Sequence, residues 1–204
     1  MSESRLAVIY FSRSGTIAML ARHIAEGAAA HGAEVRLRTV ASPDQGGGGG
    51  GLAPEPASMA DLEWADAIAF GSPTRFGNLA AELKEFLDRT GPLALRGKLA
   101  DKAVSGFTSA ASPHGGQEAT LLALYHTMCH WGAVIVPTGY TDPSLREIGG
   151  NPYGLSVTAR HDGSLSPAEV VAARFFGVRL AGIGARLAEP VPEPAREPVP
   201  AGGA

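Results

Sequence analysis

From Leu6 to Phe11 the chain reads Leu-Ala-Val-Ile-Tyr-Phe, six apolar positions without a polar break. A strand buried on both faces has this pattern, because neither set of alternating side chains meets water. The polar run Ser12-Arg-Ser-Gly-Thr16 ends it. Ile17, Leu20, Ala21, Ile24 and Ala28 then recur at helical spacing and predict an amphipathic helix to about His31. Val35 to Val40 alternates apolar residues with Arg36 and Arg38, the pattern of a more exposed second strand. This strand–loop–helix–strand unit predicts a parallel pair with a right-handed crossover.

The rhythm repeats downstream. Ala67 to Phe70 predicts a third strand, followed by Gly71-Ser-Pro-Thr-Arg-Phe-Gly77 and a helix marked by Leu79, Leu83, Phe86 and Leu87. Lys102 to Thr108 predicts a fourth strand, then a small-residue loop, Ser109 to Gly116, and a helix from about Gln117 to Trp131. Ala133 to Pro137 predicts a fifth strand. An insertion rich in Gly, Pro, Asp and Asn runs to about residue 154, and Leu155 to Ala159 is placed to complete that strand after it. The last helix has the clearest start, with Ser166 as N-cap, Pro167 in the first position and Glu169 closing a capping box. It runs to about Leu187.

Two segments break the rhythm. Residues 41–58 contain the glycine run Gly46 to Gly51, flanked by prolines, and read as a mobile insertion. No lysine or helix start follows those glycines, which favours a tolerated insertion over a phosphate loop. Residues 189–204 hold five prolines and read as a disordered tail. The expectation is one α/β domain over residues 1–188: a three-layer α/β/α sandwich on a five-stranded parallel sheet, order 2-1-3-4-5.

Composition narrows the function. A formal charge of −3 without a basic stripe argues against a nucleic-acid partner. No apolar run approaches the ~20 residues that cross a bilayer, so no membrane insertion is expected. One cysteine, Cys129, excludes an internal disulfide framework and a Cys-rich zinc site. The opening Met-Ser-Glu-Ser-Arg shows no signal peptide, and a cytoplasmic protein is expected.

Ligands of an open α/β sheet bind at the carboxyl ends of its strands. In the order 2-1-3-4-5, strands one, three and four are neighbours, so three loops converge there. The first, Ser12 to Thr16, offers three hydroxyls and a glycine at a helix N-terminus, where free N–H groups and the helix dipole favour an anion. It is neither a Walker loop nor Gly-x-Gly-x-x-Gly, which disfavours an ATPase and Rossmann-type dinucleotide binding. A plain helix cap remains the alternative. The second, Pro73-Thr-Arg-Phe-Gly-Asn78, has a rigid proline, polar residues and a permissive glycine that can frame a flat ring. An ordinary strand-to-helix connection is its alternative. The third is Ser109 to Gly116.

At these residues the chain resembles the WrbA-type flavoproteins. The resemblance is carried by Ser12-Arg-Ser-Gly-Thr16, Gly71-Ser-Pro-Thr-Arg-Phe-Gly-Asn78, Phe86-Leu-Asp-Arg-Thr-Gly91, His114-Gly-Gly-Gln-Glu118, Ala133-Val-Ile-Val-Pro137 and Asn151-Pro-Tyr-Gly154. It covers roughly residues 5–188 outside the glycine-rich insertion. It implies a flavodoxin-like fold and an FMN-dependent NAD(P)H:quinone oxidoreductase, with NADH or NADPH as co-substrate. It further implies a homotetramer whose neighbouring subunits help build the site.

By that resemblance, Ser12, Arg13, Ser14, Gly15, Thr16 and Ile17 hold the FMN phosphate, while Pro73, Thr74, Arg75, Phe76 and Gly77 line the isoalloxazine. Ser109, Ala110, Ala111, Ser112, Pro113, His114, Gly115 and Gly116 wrap the flavin and its ribityl chain. Trp131 takes a position near the active site that is often histidine in the family, and His130 precedes it. Ser14 replaces an aromatic residue of the phosphate loop. The segment Gly91 to Gly97 is short and lacks the family's tryptophan.

Three side chains are candidates for catalysis: Arg75, to stabilise negative charge near the ring, and His114 or His130, to give the quinone its proton. Loop ordering is the other reading of His114. His126 and His130 have the spacing of a metal pair but lack a third ligand, so no metal is expected. Cys129, in an apolar helix, reads as a buried small hydrophobe. Asp88 and Asp101 read as solvated. The expected reaction is two-electron quinone reduction by ping-pong hydride transfer. The rival is a flavodoxin-type electron carrier dependent on a separate reductase, which a larger acidic excess than −3 would favour. A scaffold that keeps the fold without FMN is the third reading.

Overall fold

A computed structural model describes residues 4–40 and 55–188; the glycine run and the tail beyond Ala188 lie outside the described residues. The elements are β1 (Arg5–Tyr10), α1 (Thr16–Ala30), β2 (Glu34–Thr39), α2 (Met59–Trp64), β3 (Ala67–Pro73), α3 (Ala81–Asp88), α4 (Gly91–Leu95), β4 (Ala103–Ala110), α5 (Gln117–Trp131), β5 (Val134–Ile135), α6 (Pro143–Glu147), β6 (Leu155–Thr158) and α7 (Pro167–Leu187). The parallel sheet has the order β2-β1-β3-β4-β5.

The sheet has six strands rather than the expected five, because the fifth position is occupied by two pieces. β5 pairs with Ala103 and Val104 at the start of β4, and β6 pairs with Phe107 to Ala110 at its end. The insertion between them carries α6. Leu155 onward therefore completes the edge as its apolar pattern suggested, while only Val134 and Ile135 of the first piece form ladder. Between the two pieces the Tyr125 hydroxyl accepts from the Gly106 amide (3.1 Å) and donates to the Tyr153 carbonyl (2.5 Å). A side chain thus takes the place of a strand where the ladder is broken.

β1 shows why a continuous apolar strand builds two cores. Successive side chains point to opposite faces. Leu6, Val8 and Tyr10 face α1 and α7, alongside Ile17, Leu20, Ile24, Phe176 and Leu180. Ala7, Ile9 and Phe11 enter the other core with Leu62, Phe70, Leu83, Phe86, Leu124 and Met128. Phe107 and Phe176 meet edge-on at 6.3 Å in the first core.

Two short helices lack the periodic signal that longer ones carry. α2 begins directly after the segment that the composition marks as insertion; its N-cap Ser58 is that segment's last residue and forms a reciprocal capping box with Asp61. Pro56 bridges Thr39, so the chain from Glu55 onward already follows the sheet edge. α4 begins with Gly91 and Pro92 after Thr90.

Asp61 is the hub of this edge. Its carboxylate accepts from the Ser58 amide (3.0 Å) and hydroxyl (2.7 Å), from Arg38 Nε (3.1 Å) and from Arg36 Nη1 (3.2 Å). The Arg36 guanidinium also lies 4.0 Å over the Trp64 ring. Burial pushes the Asp61 carboxyl up, but Ser58, Arg38 and Arg36 outweigh it and hold it below the ordinary carboxylate range. A depressed folded-state pKa means this stabilisation is present above the unfolded value of about 3.9 and is lost as pH falls through the folded value. Asp61→Asn is expected to cost about 2 kcal/mol at neutral pH and to make thermal stability fall less steeply below about pH 4 than in the parent. Parallel acid-melt series check this; identical slopes would remove Asp61 from the account.

Candidate functional site

The first loop leaves β1 after Tyr10 and enters α1 through Gly15, whose φ of 94° lies in the left-handed region. The N-cap of α1 is glycine, which offers no side chain, and the first turn carries no acidic residue. The Ser12 hydroxyl reaches past the cap to accept from the Ala18 amide at 3.3 Å. Thr16, the first helical residue, is fully buried, and its hydroxyl has no hydrogen-bond partner among the described residues. Ile17 anchors the turn in the core, while Arg13 and Ser14 are exposed. A helix start whose cap is glycine and whose first hydroxyl is buried and unspent leaves donors of the kind an anion can accept.

The second and third loops form one rim beside it. The Ser72 hydroxyl accepts from the Ala80 amide at 2.8 Å and fixes where β3 turns toward α3. Arg75 and Asn78 exchange backbone hydrogen bonds of 2.8 and 2.9 Å around a tight turn. Phe76 and Gly77 at its tip have φ of 51° and 77°. The left-handed conformation costs Phe76 on the order of 1 kcal/mol, and its ring stands fully exposed. Such strained positions cluster at binding and catalytic loops in folded proteins. The Thr74 amide donates to the Ser109 carbonyl at 2.9 Å, and Thr120 Oγ1 donates to Thr74 Oγ1 at 3.2 Å. A Cβ on Gly116 would lie 3.0 Å from Gly77 Cα, so the two loops touch through their glycines.

The third loop leaves β4 at Ser109 and Ala110, both buried, and exposes Ala111, Ser112, Pro113 and His114. The Ser112 carbonyl accepts from the Gly115 amide (3.1 Å) and from Gln117 Nε2 (2.9 Å). Gln117 thus orders the loop from the start of α5, a role that no periodicity signals.

Two candidates lie elsewhere. His130 and Trp131 end α5, about 21 Å along the helix axis from the Gln117 end. The Trp131 indole is buried, meets Phe70 edge-on at 5.9 Å and donates to Thr90 Oγ1 at 3.1 Å. It belongs to the core, away from the three loops. Cys129 is exposed, contrary to the expected buried position, because the inward face of α5 is taken by Leu121, Leu124, Tyr125 and Met128. His126 is exposed on the same helix, and among the described residues no group of three His, Cys, Asp or Glu side chains comes together to hold a metal ion. Asp88 is exposed and paired with Lys84; Asp101 is exposed with φ of 61°.

A fourth segment reaches this end of the sheet without any warning in the sequence. The turn Arg160 to Ser164, after β6, places Gly163 against the backbone of the first loop.

A parallel 2-1-3-4-5 sheet with a helix start and two touching loops at its carboxyl edge has the architecture of the flavodoxin type, whose ligands bind at that edge. The comparisons with known proteins narrow the class. Residues 5–142 match the family model described as NADPH-dependent FMN reductase, and the chain belongs to that family. It is 47% identical over 167 residues to an NAD(P)H dehydrogenase (quinone) of Deinococcus radiodurans, covering 76% of this chain and 83% of that protein. It is 41% identical over 198 residues to one of Sinorhizobium fredii, covering 91% and 100%. Among solved structures, a flavodoxin, WrbA-like protein from Agrobacterium tumefaciens superposes with a TM-score of 0.70 at 26% identity, covering 90% of this chain and 99% of that one. These likenesses agree with the family resemblance of the loop motifs.

Proposed function

We propose that this chain, an FMN-dependent NAD(P)H:quinone oxidoreductase, is a self-sufficient ping-pong enzyme that works as a homotetramer. The observation that supports this placement of the cofactor is the buried Thr16 hydroxyl, without a partner among the described residues, at the start of α1. The residues present fit FMN: a terminal phosphate satisfies that hydroxyl and the free amides of the first turn. Ser12, Arg13, Ser14, Gly15, Thr16 and Ile17 hold the phosphate. Pro73 to Gly77 and Ser109 to Gly116 frame the ring and ribityl chain. Bound there, FMN supplies hydride acceptance from NAD(P)H and hydride donation to a quinone.

The chain's own residues position and protonate. Arg75 is exposed at the base of the strained turn, its Nη1 tied to the Thr74 carbonyl at 3.1 Å, and brings positive charge to the ring's edge. His114, exposed on the opposite loop, delivers a proton from an imidazole nitrogen to the quinone oxygen. His130 sits at the far end of α5, so it contributes only to a site that a neighbouring subunit helps to form. Exposed Phe76, Leu95, Tyr140 and Tyr153 suit such contacts. No helix among the described residues is long and apolar enough to cross a membrane, and we place the enzyme in the cytoplasm.

Anaerobic mixing of the FMN-loaded protein with NADH or NADPH is expected to bleach the flavin absorbance, and added benzoquinone to restore it. A flavin that stays oxidised with both nucleotides would replace the reductase with an electron carrier.

A further inference from the structure

We infer that the turn Arg160 to Ser164 is the backing of the phosphate loop, and that Gly163 is a positioning residue for the FMN phosphate. This rests on the reading of Ser12 to Ile17 as that loop. Gly163 is buried with φ of 71°. A Cβ there would lie 2.8 Å from the Ser14 carbonyl oxygen, 3.5 Å from the Thr16 amide nitrogen and 3.6 Å from the Gly15 carbonyl carbon. The hydrogen atom of glycine alone lets the turn press against the peptides whose N–H groups face the anion.

The turn is the stiffer of the two partners. The Gly163 amide donates to the Arg160 carbonyl at 3.0 Å, and the Ser164 amide to Asp162 Oδ1 at 2.9 Å. Arg160 Nη1 spans the turn to the Ser164 carbonyl at 3.1 Å and pairs with Glu169, which is itself fixed in the Ser166 capping box of α7. The Ala159 amide holds the incoming chain to the Ala110 carbonyl at 2.8 Å. The first loop has one side-chain tether, Ser12 to Ala18. A methyl group at position 163 therefore displaces the phosphate loop rather than the turn. The aim of the Gly15 and Thr16 amides changes, while the ring-binding loops at Thr74 and Gly116 stay in place.

The test compares FMN with riboflavin, which carries the ring and ribityl chain but no phosphate. Both are titrated by flavin fluorescence against the apoprotein, with a thermal melt of each variant. Gly163→Ala is expected to weaken FMN about tenfold or more, the cost of one misaligned charge-assisted hydrogen bond, and to leave riboflavin affinity unchanged. Asp162→Ala, which loosens the turn without adding a side chain at the contact, is expected to shift the FMN-to-riboflavin ratio in the same direction by less. It decides the matter if Gly163→Ala does not fold. Equal losses for both ligands, or none, would overturn the inference. A parent protein that binds riboflavin as tightly as FMN would instead overturn the phosphate-loop reading itself.

Discussion

Gly177→Ala is expected to lower thermal stability by about 3 kcal/mol, although alanine is the better helix former by roughly 1 kcal/mol. The sign is decided by the backbone of the neighbouring helix. Gly177 on α7 faces α1, and a Cβ there would lie 2.1 Å from the Ile24 carbonyl oxygen, 3.0 Å from its carbon and 3.1 Å from the Ala28 nitrogen. The contact is reciprocal: a Cβ on Gly27 of α1 would lie 2.2 Å from the Arg174 carbonyl oxygen. No side-chain rotation relieves a collision with main chain, so two helices that flank the same sheet face must separate. The buried residues Leu20, Ile24, Phe176 and Leu180 then lose contact together.

For a chain of this length the expected loss is roughly 6–12 °C in melting temperature. Gly182 supplies the control. It lies on the same helix, and a Cβ there meets nothing within 4 Å. Gly182→Ala is therefore expected to stabilise by up to about 1 kcal/mol. Two glycine-to-alanine changes five positions apart should move the melt in opposite directions. A neutral or stabilising Gly177→Ala would mean that the helices do not approach this closely.

How much of this was legible in the sequence follows from the range of the interactions involved. β1 and α7 were readable because their signals are local: an unbroken apolar run, and Ser166, Pro167 and Glu169 at their capping spacing. The convergence of the three loops was readable once the strand order was inferred, since neighbouring strands end side by side. α2 was not, because six residues are too few for periodicity and lie beside the glycine run; only Ser58 and Asp61 announced it.

The split edge of the sheet depends on Tyr125 filling a gap, a contact across 28 residues of chain. The exposure of Cys129 is not legible because α5 is apolar on more than its inward face, which leaves pattern alone unable to orient it. The close glycines, Gly27 against Arg174 and Gly163 against Ser14, unite positions about 150 residues apart. A glycine that serves a contact looks the same in sequence as one that serves a turn.

Thr16→Val is expected to raise the stability of the FMN-free protein and to weaken FMN binding, two effects with one cause. The Thr16 hydroxyl is wholly buried and has no hydrogen-bond partner among the described residues. An unsatisfied buried hydroxyl costs about 1–3 kcal/mol, and valine keeps the branched shape while removing that cost. The melt of the FMN-free variant should therefore rise by a few degrees, about 1–2 kcal/mol in stability. Once phosphate is bound, the parent hydroxyl donates a charge-assisted hydrogen bond worth about 1.5–3 kcal/mol, which valine cannot make. FMN affinity should fall roughly 10- to 150-fold.

The two measurements separate the ways this account can fail. If affinity falls but the FMN-free protein is destabilised as well, the hydroxyl has a partner in the absence of ligand, and the start of α1 is a satisfied cap rather than a waiting one. If stability rises and FMN affinity does not change, the phosphate lies away from Thr16 and the first loop loses its most buried donor. Only a rise in one with a fall in the other fits a helix end held unsatisfied for an anion, where stability is given up at the position that binds.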